Sequence, residues 1–234
     1  VAVSSINLGV LGTSTGFSTF RGINSAALGS VTIGSNGFPN LIQNISLNAN
    51  ATNAFIGISN TGANTSTNIR YNNIRGIRFA AAGAHASTFT GIINSGAVNG
   101  PVNITNNNLG IPGTDLVTYA GACSGLFRGI VNTAAGAAAA LSIASNDIRG
   151  VSHAVAGSSN HTYISNTAAC PTHSINLNTI TGATSTSGII LGIDDSSASA
   201  NKSIANNTIT TLSSTGNIVT GISSSNGTAV SIGT

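Results

Sequence analysis

The chain has 234 residues, of which 41% are hydrophobic and only 5% are charged, and its formal net charge is +3. This composition excludes a disordered chain, because disorder needs low hydrophobicity together with high net charge. The polar residues are mainly Asn, Ser, Thr and Gly, which suit turns and strand faces, so a helical protein is disfavoured as well.

The first recurring motif is apolar-x-x-Asn-x-apolar, led by an isoleucine and followed three residues later by an asparagine. The leading residues are Ile33, Ile69, Ile104, Ile143, Ile175 and Ile204. The corresponding asparagines are Asn36, Asn72, Asn107, Asn146, Asn178 and Asn207. Partial copies occur at Ile6 and Ile232, and successive leading isoleucines are 27, 36, 35, 39, 32, 29 and 28 residues apart. This motif indicates an internal repeat along nearly the whole chain.

A second motif, Phe-x-Gly-Ile, alternates strictly with the first. It begins at Phe20, Phe55, Phe89 and Phe127, and aliphatic versions begin at Ile190 and Val219. In the fifth coil Tyr163-Ile164 takes its place imperfectly. Two unrelated motifs would not alternate in this way by chance, so each pair of motifs is interpreted as one coil of a solenoid.

Stacking of the coils gives each motif a physical role. Equivalent positions of successive coils lie about 4.8 Å apart in a parallel solenoid, so the Ile and Phe columns are predicted to be internal core ladders. The Asn column is predicted to be a turn ladder, in which each Asn adopts the left-handed conformation and bonds to the Asn of the next coil. An antiparallel sandwich or propeller is disfavoured because Asn-Gly hairpin signals occur at only three places.

The sequence therefore predicts an all-β fold, a right-handed parallel β-helix with about seven coils of 27–39 residues and three strands per coil. Residues 1–234 are expected to form a single domain. The segment Ala134 to Ala140 has the composition of a helix, but neighbouring coils keep strand-like sequence at this point. We therefore expect it to follow the solenoid.

Insertions gather on one side of the predicted stack. The distance from a leading Ile to the next Gly-Ile varies from 17 to 26 residues, whereas the return distance is 10 to 13 residues. In solenoids the inserted face is often the binding face. The ligand-binding candidates on it are Arg78, His85, Asp115 and Tyr119, and the alternative is a set of passive surface loops.

The acidic residues do not suggest an enzyme. Glycoside hydrolysis needs two carboxylates at a set separation, and calcium-dependent lyases need several more. The four acids are Asp115, Asp147, Asp194 and Asp195, and the stack does not reinforce Asp147 or Asp194 from the coils above and below. His161, Cys170 and His173 match no closed zinc spacing. We expect no catalytic residues, no metal and no cofactor.

Partners are constrained by the same composition. Lys and Arg are too scattered to neutralise several phosphates, so nucleic acid is not an expected partner. No apolar run reaches the 18 or so residues of a membrane-spanning helix. Cys123 and Cys170 could form one disulfide bond in an oxidising compartment, which would require loops that fold back, or they could be two free thiols.

The Ile-x-x-Asn-x-Ile and Phe-x-Gly-Ile ladders resemble the parallel β-helix repeat regions of very large secreted bacterial surface proteins, such as adhesins and gliding-type filaments of Bacteroidota. The resemblance implies a secreted protein at the cell surface or in an extracellular fibre, acting as a stalk or adhesive structure. No functional residue is carried over, because the likeness rests on core positions alone.

The function expected from these observations is a non-enzymatic structural or adhesive β-helix of an extracellular or cell-surface filament. Both ends of the sequence look open, so we expect end-to-end self-association or continuation in a longer array. A surface glycan or protein is a further expected ligand. The alternatives are a carbohydrate-binding or carbohydrate-cleaving β-helix and an ice-binding solenoid, the latter suggested by Thr-rich stretches such as Thr65-Ser66-Thr67.

Overall fold

The computed structural model describes residues 6–8, 19–47, 53–133, 140–182, 186–227 and 229–233. Every regular element in these segments is a β-strand, and the strands belong to three sheets, here called sheet A, sheet B and sheet C. The chain visits the sheets in the repeating order A, B, C. One passage through the three sheets is one coil.

Sheet A has nine described strands because two coils contribute a pair each. They are β1 (Ile6–Leu8), β4 (Leu41–Leu47), β7 (Asn73–Phe79), β10 (Asn108–Leu109), β11 (Val117–Tyr119), β14 (Asp147–Arg149), β15 (Val151–His153), β18 (Thr179–Thr181) and β21 (Thr208–Thr210).

Sheets B and C have seven described strands each. Sheet B contains β2 (Thr19–Ser25), β5 (Ala54–Asn60), β8 (Thr88–Asn94), β12 (Phe127–Asn132), β16 (His161–Asn166), β19 (Ile190–Asp195) and β22 (Val219–Ser224). Sheet C contains β3 (Ser30–Ile33), β6 (Ser66–Arg70), β9 (Val102–Thr105), β13 (Ala140–Ala144), β17 (Thr172–Asn176), β20 (Asn201–Ala205) and β23 (Ala229–Gly233).

Every pairing between these strands is parallel, and each strand pairs with its equivalent in the next coil. The predicted parallel β-helix with three strands per coil is confirmed. In-register pairing explains the buried Ile-rich columns, because it places equivalent apolar residues of successive coils over one another on the side that faces the core. The described core is one continuous cluster along the axis.

The two predicted core columns are in register. In sheet C, the leading isoleucines pair directly with one another from Ile33 through Ile204. In sheet B, the rings of Phe20, Phe55, Phe89 and Phe127 stack with centroids 5.1 to 5.3 Å apart. Ring stacking at the coil spacing makes the Phe column a continuous aromatic file inside the solenoid.

The fifth coil differs from the predicted alignment in one position. Ile164 pairs with Ile130 as expected, but His161 and not Tyr163 pairs with Phe127. Tyr163 lies beside Gly129, and its ring packs against both Phe127 and His161. The imperfect motif therefore conceals a histidine in the phenylalanine column.

The prediction for the first copy of the Asn motif was wrong. Phe38 is 82% exposed, and it forms a tight antiparallel bridge with Ser35 across a turn that contains Asn36 and Gly37. Asn40 takes the ladder position instead, since its Nδ2 donates to Asn72 Oδ1 at 2.8 Å. An inserted turn reproduced the motif spacing by coincidence and displaced Asn36 from the ladder.

The predicted left-handed conformation also belongs to a different residue. A positive φ occurs at the residue just before the ladder Asn, namely at Tyr71, Asn106, Ser145, Leu177 and Asn206. The ladder asparagines themselves turn inward, and their side chains bond to backbone and to one another. The turn thus separates two tasks: one residue bends the chain and the next supplies the amide.

The alanine-rich segment lies mostly outside the described residues. Residues 134–139 are not described, and Ala140 begins β13.

Candidate functional site

The four ligand-binding candidates on the loop side do not form one site. Arg78 is exposed on β7 and Asp115 is exposed on the loop before β11. Tyr119 is fully buried, and His85 is only 6% exposed. Tyr119 is buried because β11 pairs with β7 as a second strand of sheet A, which turns its side chain inward. His85 is buried because its ring packs against Phe79 and Tyr119. A shallow cleft of about 360 Å³ lies near His85, and its walls are otherwise small residues of the neighbouring coils.

Tyr119 and His85 belong to a buried aromatic stack in the interior. The ring of Tyr119 stacks on Phe79 at 5.2 Å and on His153 at 4.6 Å. His153 continues the stack to His161 at 5.2 Å between ring centroids. Burial lowers the pKa of His161 to about 3, with repulsion from His153 adding to the effect. Burial and the charge of His85 lower the pKa of His153 to about 4.

The outer face of sheet C is the most regular surface of the solenoid. Its central column contains one hydroxyl or amide side chain per coil for seven coils, paired in register. The column is Thr32, Asn68, Asn103, Ser142, Ser174, Ser203 and Ser231. Neighbouring members are one strand spacing apart, about 4.8 Å. We call this surface the sheet C face.

Two columns flank the central one on the sheet C face, and both consist mainly of small residues. On one side they are Ser30, Ser66, Ala140, Thr172, Asn201 and Ala229. On the other side they are Arg70, Thr105, Ala144, Asn176, Ala205 and Gly233. Arg70 is the one charged residue among these three columns. The outer face of sheet A, in contrast, contains an ion pair between Asp147 and Arg149 at 2.6 Å.

A second asparagine ladder, which the sequence analysis missed, runs inside sheet B. Asn60 donates to Asn94 at 2.7 Å, and the same bond recurs from Asn94 to Asn132 and from Asn132 to Asn166. Each member lies two residues after the Ile of the Phe-x-Gly-Ile motif. The extended pattern Gly-Ile-x-Asn, present in three copies of that motif, was the signal that could have revealed it. In the sixth coil Asp195 replaces the asparagine.

Asp195 is the centre of a buried ionic cluster that we call the Asp195 cluster. His173 Nε2 lies 2.8 Å and Lys202 Nζ lies 3.4 Å from Asp195 Oδ2, and the three side chains are fully buried. Asn166 Nδ2 and the Ser197 backbone N–H donate to Asp195 Oδ1 at 3.0 and 3.3 Å. Burial alone would raise the pKa of Asp195, but these bonds, that from His173 foremost, hold it at about 2.

The other acids lie apart from this cluster. Asp147 is paired with Arg149 on sheet A, and Asp194 occupies the outward column of sheet B between Ser165 and Ser223. Among the residues that the structure describes, no group of three or more His, Cys, Asp or Glu side chains could hold a metal ion.

The two cysteines are free thiols in the structure, and both are buried. Cys123 Sγ donates to the Ser87 carbonyl at 3.3 Å, whereas Cys170 Sγ lies near the Ala168 carbonyl at 3.8 Å. The sequence left open whether Cys123 and Cys170 form a disulfide bond, and in the structure they do not. Cys123 lies between β11 and β12, and Cys170 lies between β16 and β17.

The sequence matches no protein-family model, and neither a curated protein nor a solved structure is detectably similar to it. In the described part of the chain, no helix has the length and apolar character that crossing a membrane would require.

Proposed function

We propose that this chain is a non-enzymatic structural and adhesive β-helix of a secreted, cell-surface or extracellular filament. The observation that supports the proposal most directly is the sheet C face, where seven hydroxyl or amide side chains stand in one column at the coil spacing. Such a face offers many equivalent and individually weak hydrogen bonds. Repetition of weak contacts raises the total affinity through multivalency.

The partner that fits the sheet C face is an uncharged glycan surface. A nearly charge-free face avoids the desolvation cost of charged groups, and Ser, Thr and Asn side chains can both donate to and accept from sugar hydroxyls. Lengthwise repetition of these groups suits a polymer or a packed array of chains better than a single small sugar. Aromatic platforms are absent from the three columns, so affinity would come from hydrogen bonds and close fit.

The adhesive role is tested by binding to insoluble cellulose and chitin particles. In the first variant, Ser174→Lys and Ser203→Lys place two charges in adjacent rungs of the sheet C face. In the control, Thr179→Lys and Thr208→Lys place two charges in adjacent rungs of sheet A. We expect the sheet C variant to lower the bound fraction at least tenfold and the control to bind like the original chain.

Equal binding of both variants, or no binding by the original chain, would contradict the adhesive proposal. The same particles test the enzymatic alternative, since release of soluble sugar with or without calcium would replace adhesion by cleavage. End-to-end association is part of the structural proposal because successive coils already pair with one another through the same kind of strand edge along one axis. Sedimentation velocity over a wide concentration range should reveal it as oligomers that grow with concentration.

Ice is a second candidate partner because the central column of the sheet C face places hydroxyl and amide groups in register, coil after coil. A regular array of such groups can hold ordered water. Thermal hysteresis measured on the original chain and on the two Lys variants separates this candidate from glycan adhesion. Hysteresis that the sheet C variant alone abolishes would favour ice.

A further inference from the structure

The Asp195 cluster contains Lys202, which is the only lysine of the chain, and the position of this residue is unusual. Lys202 lies on β20 with its side chain fully buried inside the solenoid, and it is directly paired with His173 of the preceding coil. Lysine is rarely buried in this way, because removing an ammonium group from water is costly unless it is paired. The cluster therefore needs an explanation beyond ordinary core packing.

The residues around Asp195 bring an amine, a carboxyl group and an imidazole together in the core. Lys202 Nζ lies 3.4 Å from Asp195 Oδ2, so the nitrogen is held beside the carboxyl group whose carbon it would attack. The ammonium group also contacts the Ser225 carbonyl at 2.6 Å, which helps to fix its direction. Because no solvent reaches the side chains, water does not compete as the nucleophile.

The two carboxyl oxygens of Asp195 have different partners. Two N–H donors, from Asn166 and Ser197, contact Oδ1, so they can stabilise negative charge that develops there when the carboxyl carbon is attacked. His173 Nε2 contacts Oδ2 at 2.8 Å, so it can deliver a proton to that oxygen as it leaves. One oxygen is thus equipped to carry charge and the other to depart.

We propose that Lys202 and Asp195 join in an intramolecular isopeptide bond. The Lys202 Nζ to Asp195 Cγ bond forms and the Cγ to Oδ2 bond breaks. Lys202 Nζ first gives one ammonium proton to Asp195 Oδ2, so that a neutral amine attacks a neutral carboxyl group. His173 then carries a second proton from the nitrogen to Oδ2, which leaves as water, and the third proton remains on the amide nitrogen. The ion pair has no net charge before the reaction, and the amide has none after it, so no external reactant is needed. His173 acts as the proton carrier, and Asn166 as a hydrogen-bond donor to the oxygen on which charge develops.

The bond would tie β19 of sheet B to β20 of sheet C across the corner of the solenoid. It would also remove the buried charges that are costly to hold in the core. This inference concerns the covalent state of the chain and does not depend on the adhesive role.

Intact mass measurement of the denatured chain tests the proposal directly. We expect a mass lower than that of the sequence by one water molecule. We also expect trypsin to spare Lys202, so that the peptide beginning at Gly150 continues past Lys202 and lacks one water. The control is Lys202→Arg, which keeps the charge but has no usable nucleophile. This variant should have its full sequence mass and should be cleaved at position 202.

Two results would overturn the proposal. The first is an original chain with full sequence mass that trypsin cleaves after Lys202. The second is a loss of water that persists in Lys202→Arg, because it would then come from cyclisation at an aspartate. A further variant, His173→Gln, should leave a mixture of linked and unlinked chains if His173 carries the proton, and wholly linked chains would remove it from the mechanism.

Discussion

His153 Nε2 and His161 Nε2 lie 3.2 Å apart in the interior, so one ring must donate a hydrogen bond to the other. The pair can hold only one proton between the two facing nitrogens without placing like charges side by side. Both pKa values lie below the ordinary value of 6.5, at about 4 for His153 and about 3 for His161. The folded chain therefore keeps these rings neutral where an unfolded chain would protonate them.

This relationship predicts acid sensitivity. An unfolded chain binds more protons than the folded one between pH 6.5 and about 3, so stability is full above pH 6.5 and falls as the pH decreases through this window. We expect a drop of roughly 5 °C or more in the melting temperature between pH 7 and pH 4, equivalent to about 2 kcal/mol. The double variant His153→Tyr, His161→Phe introduces the aromatic residues that the preceding coil has at these positions. It should make the melting temperature depend less on pH. An unchanged dependence on pH would contradict the role of the two histidines.

Asn107, at the centre of the Asn turn ladder, should be essential for the stability of the fold. Asn107 accepts from both the backbone N–H and Nδ2 of Asn72, and its own Nδ2 donates to Asn146 and to the Ile69 carbonyl. Asn107→Ala leaves these buried groups without partners, and we expect a loss of about 2–4 kcal/mol of unfolding free energy. The adjacent Asn108→Ala is the control, since its side chain is exposed and its bond within the described residues is to Asn73. Urea denaturation of both variants measures the difference, and equal losses would contradict a structural ladder.

The glycine of the Phe-x-Gly-Ile motif should not tolerate alanine. A Cβ at Gly57 would lie 2.5 Å from the Gly91 carbonyl oxygen and 2.6 Å from Ile74 Cδ1. We expect Gly57→Ala to cost about 1–3 kcal/mol, because the backbone of the next coil must move. Gly83→Ala places its Cβ in open space and should change stability by no more than about 0.5 kcal/mol. Thermal unfolding of the two variants provides the comparison.

The thiols of Cys123 and Cys170 should be unreactive in the folded chain. Burial raises the pKa of the Cys123 thiol, and burial together with the charge of Asp195 raises that of Cys170 to about 11. Because the thiolate is the reactive form, neither should react with a thiol reagent at pH 8 under native conditions. Addition of denaturant without reductant should expose two thiols per chain. A count of zero would show a disulfide bond between them.

The repeat made the architecture predictable from sequence. Ile and Phe columns recur because each internal position must remain apolar in every coil, so spacing alone placed Ile69 beside Ile104 and Phe55 beside Phe89. The same logic would have identified the inner Asn ladder through the Gly-Ile-x-Asn pattern. The ladder residue lies two positions beyond the apolar Ile of the motif, where a polar residue in a core column is not expected from hydrophobic spacing.

Local turns and inward rotations were harder to predict. Gly34 and Gly37 have positive φ values and allow a tight turn that imitates the motif around Asn36. Tyr119 turned inward because three residues of an apparent loop join sheet A, and sequence spacing contains no signal for such a short strand. The Asp195 cluster depends on residues from three strands, so it becomes visible only when the coils are aligned.

The two asparagine ladders give the solenoid an electrical direction. In both, every bond between ladder side chains has its donor in the earlier coil and its acceptor in the later one. The side-chain amide dipoles are therefore aligned along the axis and add to one another. In the ladder inside sheet B, the positive end of this sum lies at Asn166, which donates to the carboxylate of Asp195. The two ends of the solenoid therefore differ electrostatically. A charged group would interact differently with one end than with the other, even where the two ends have the same shape.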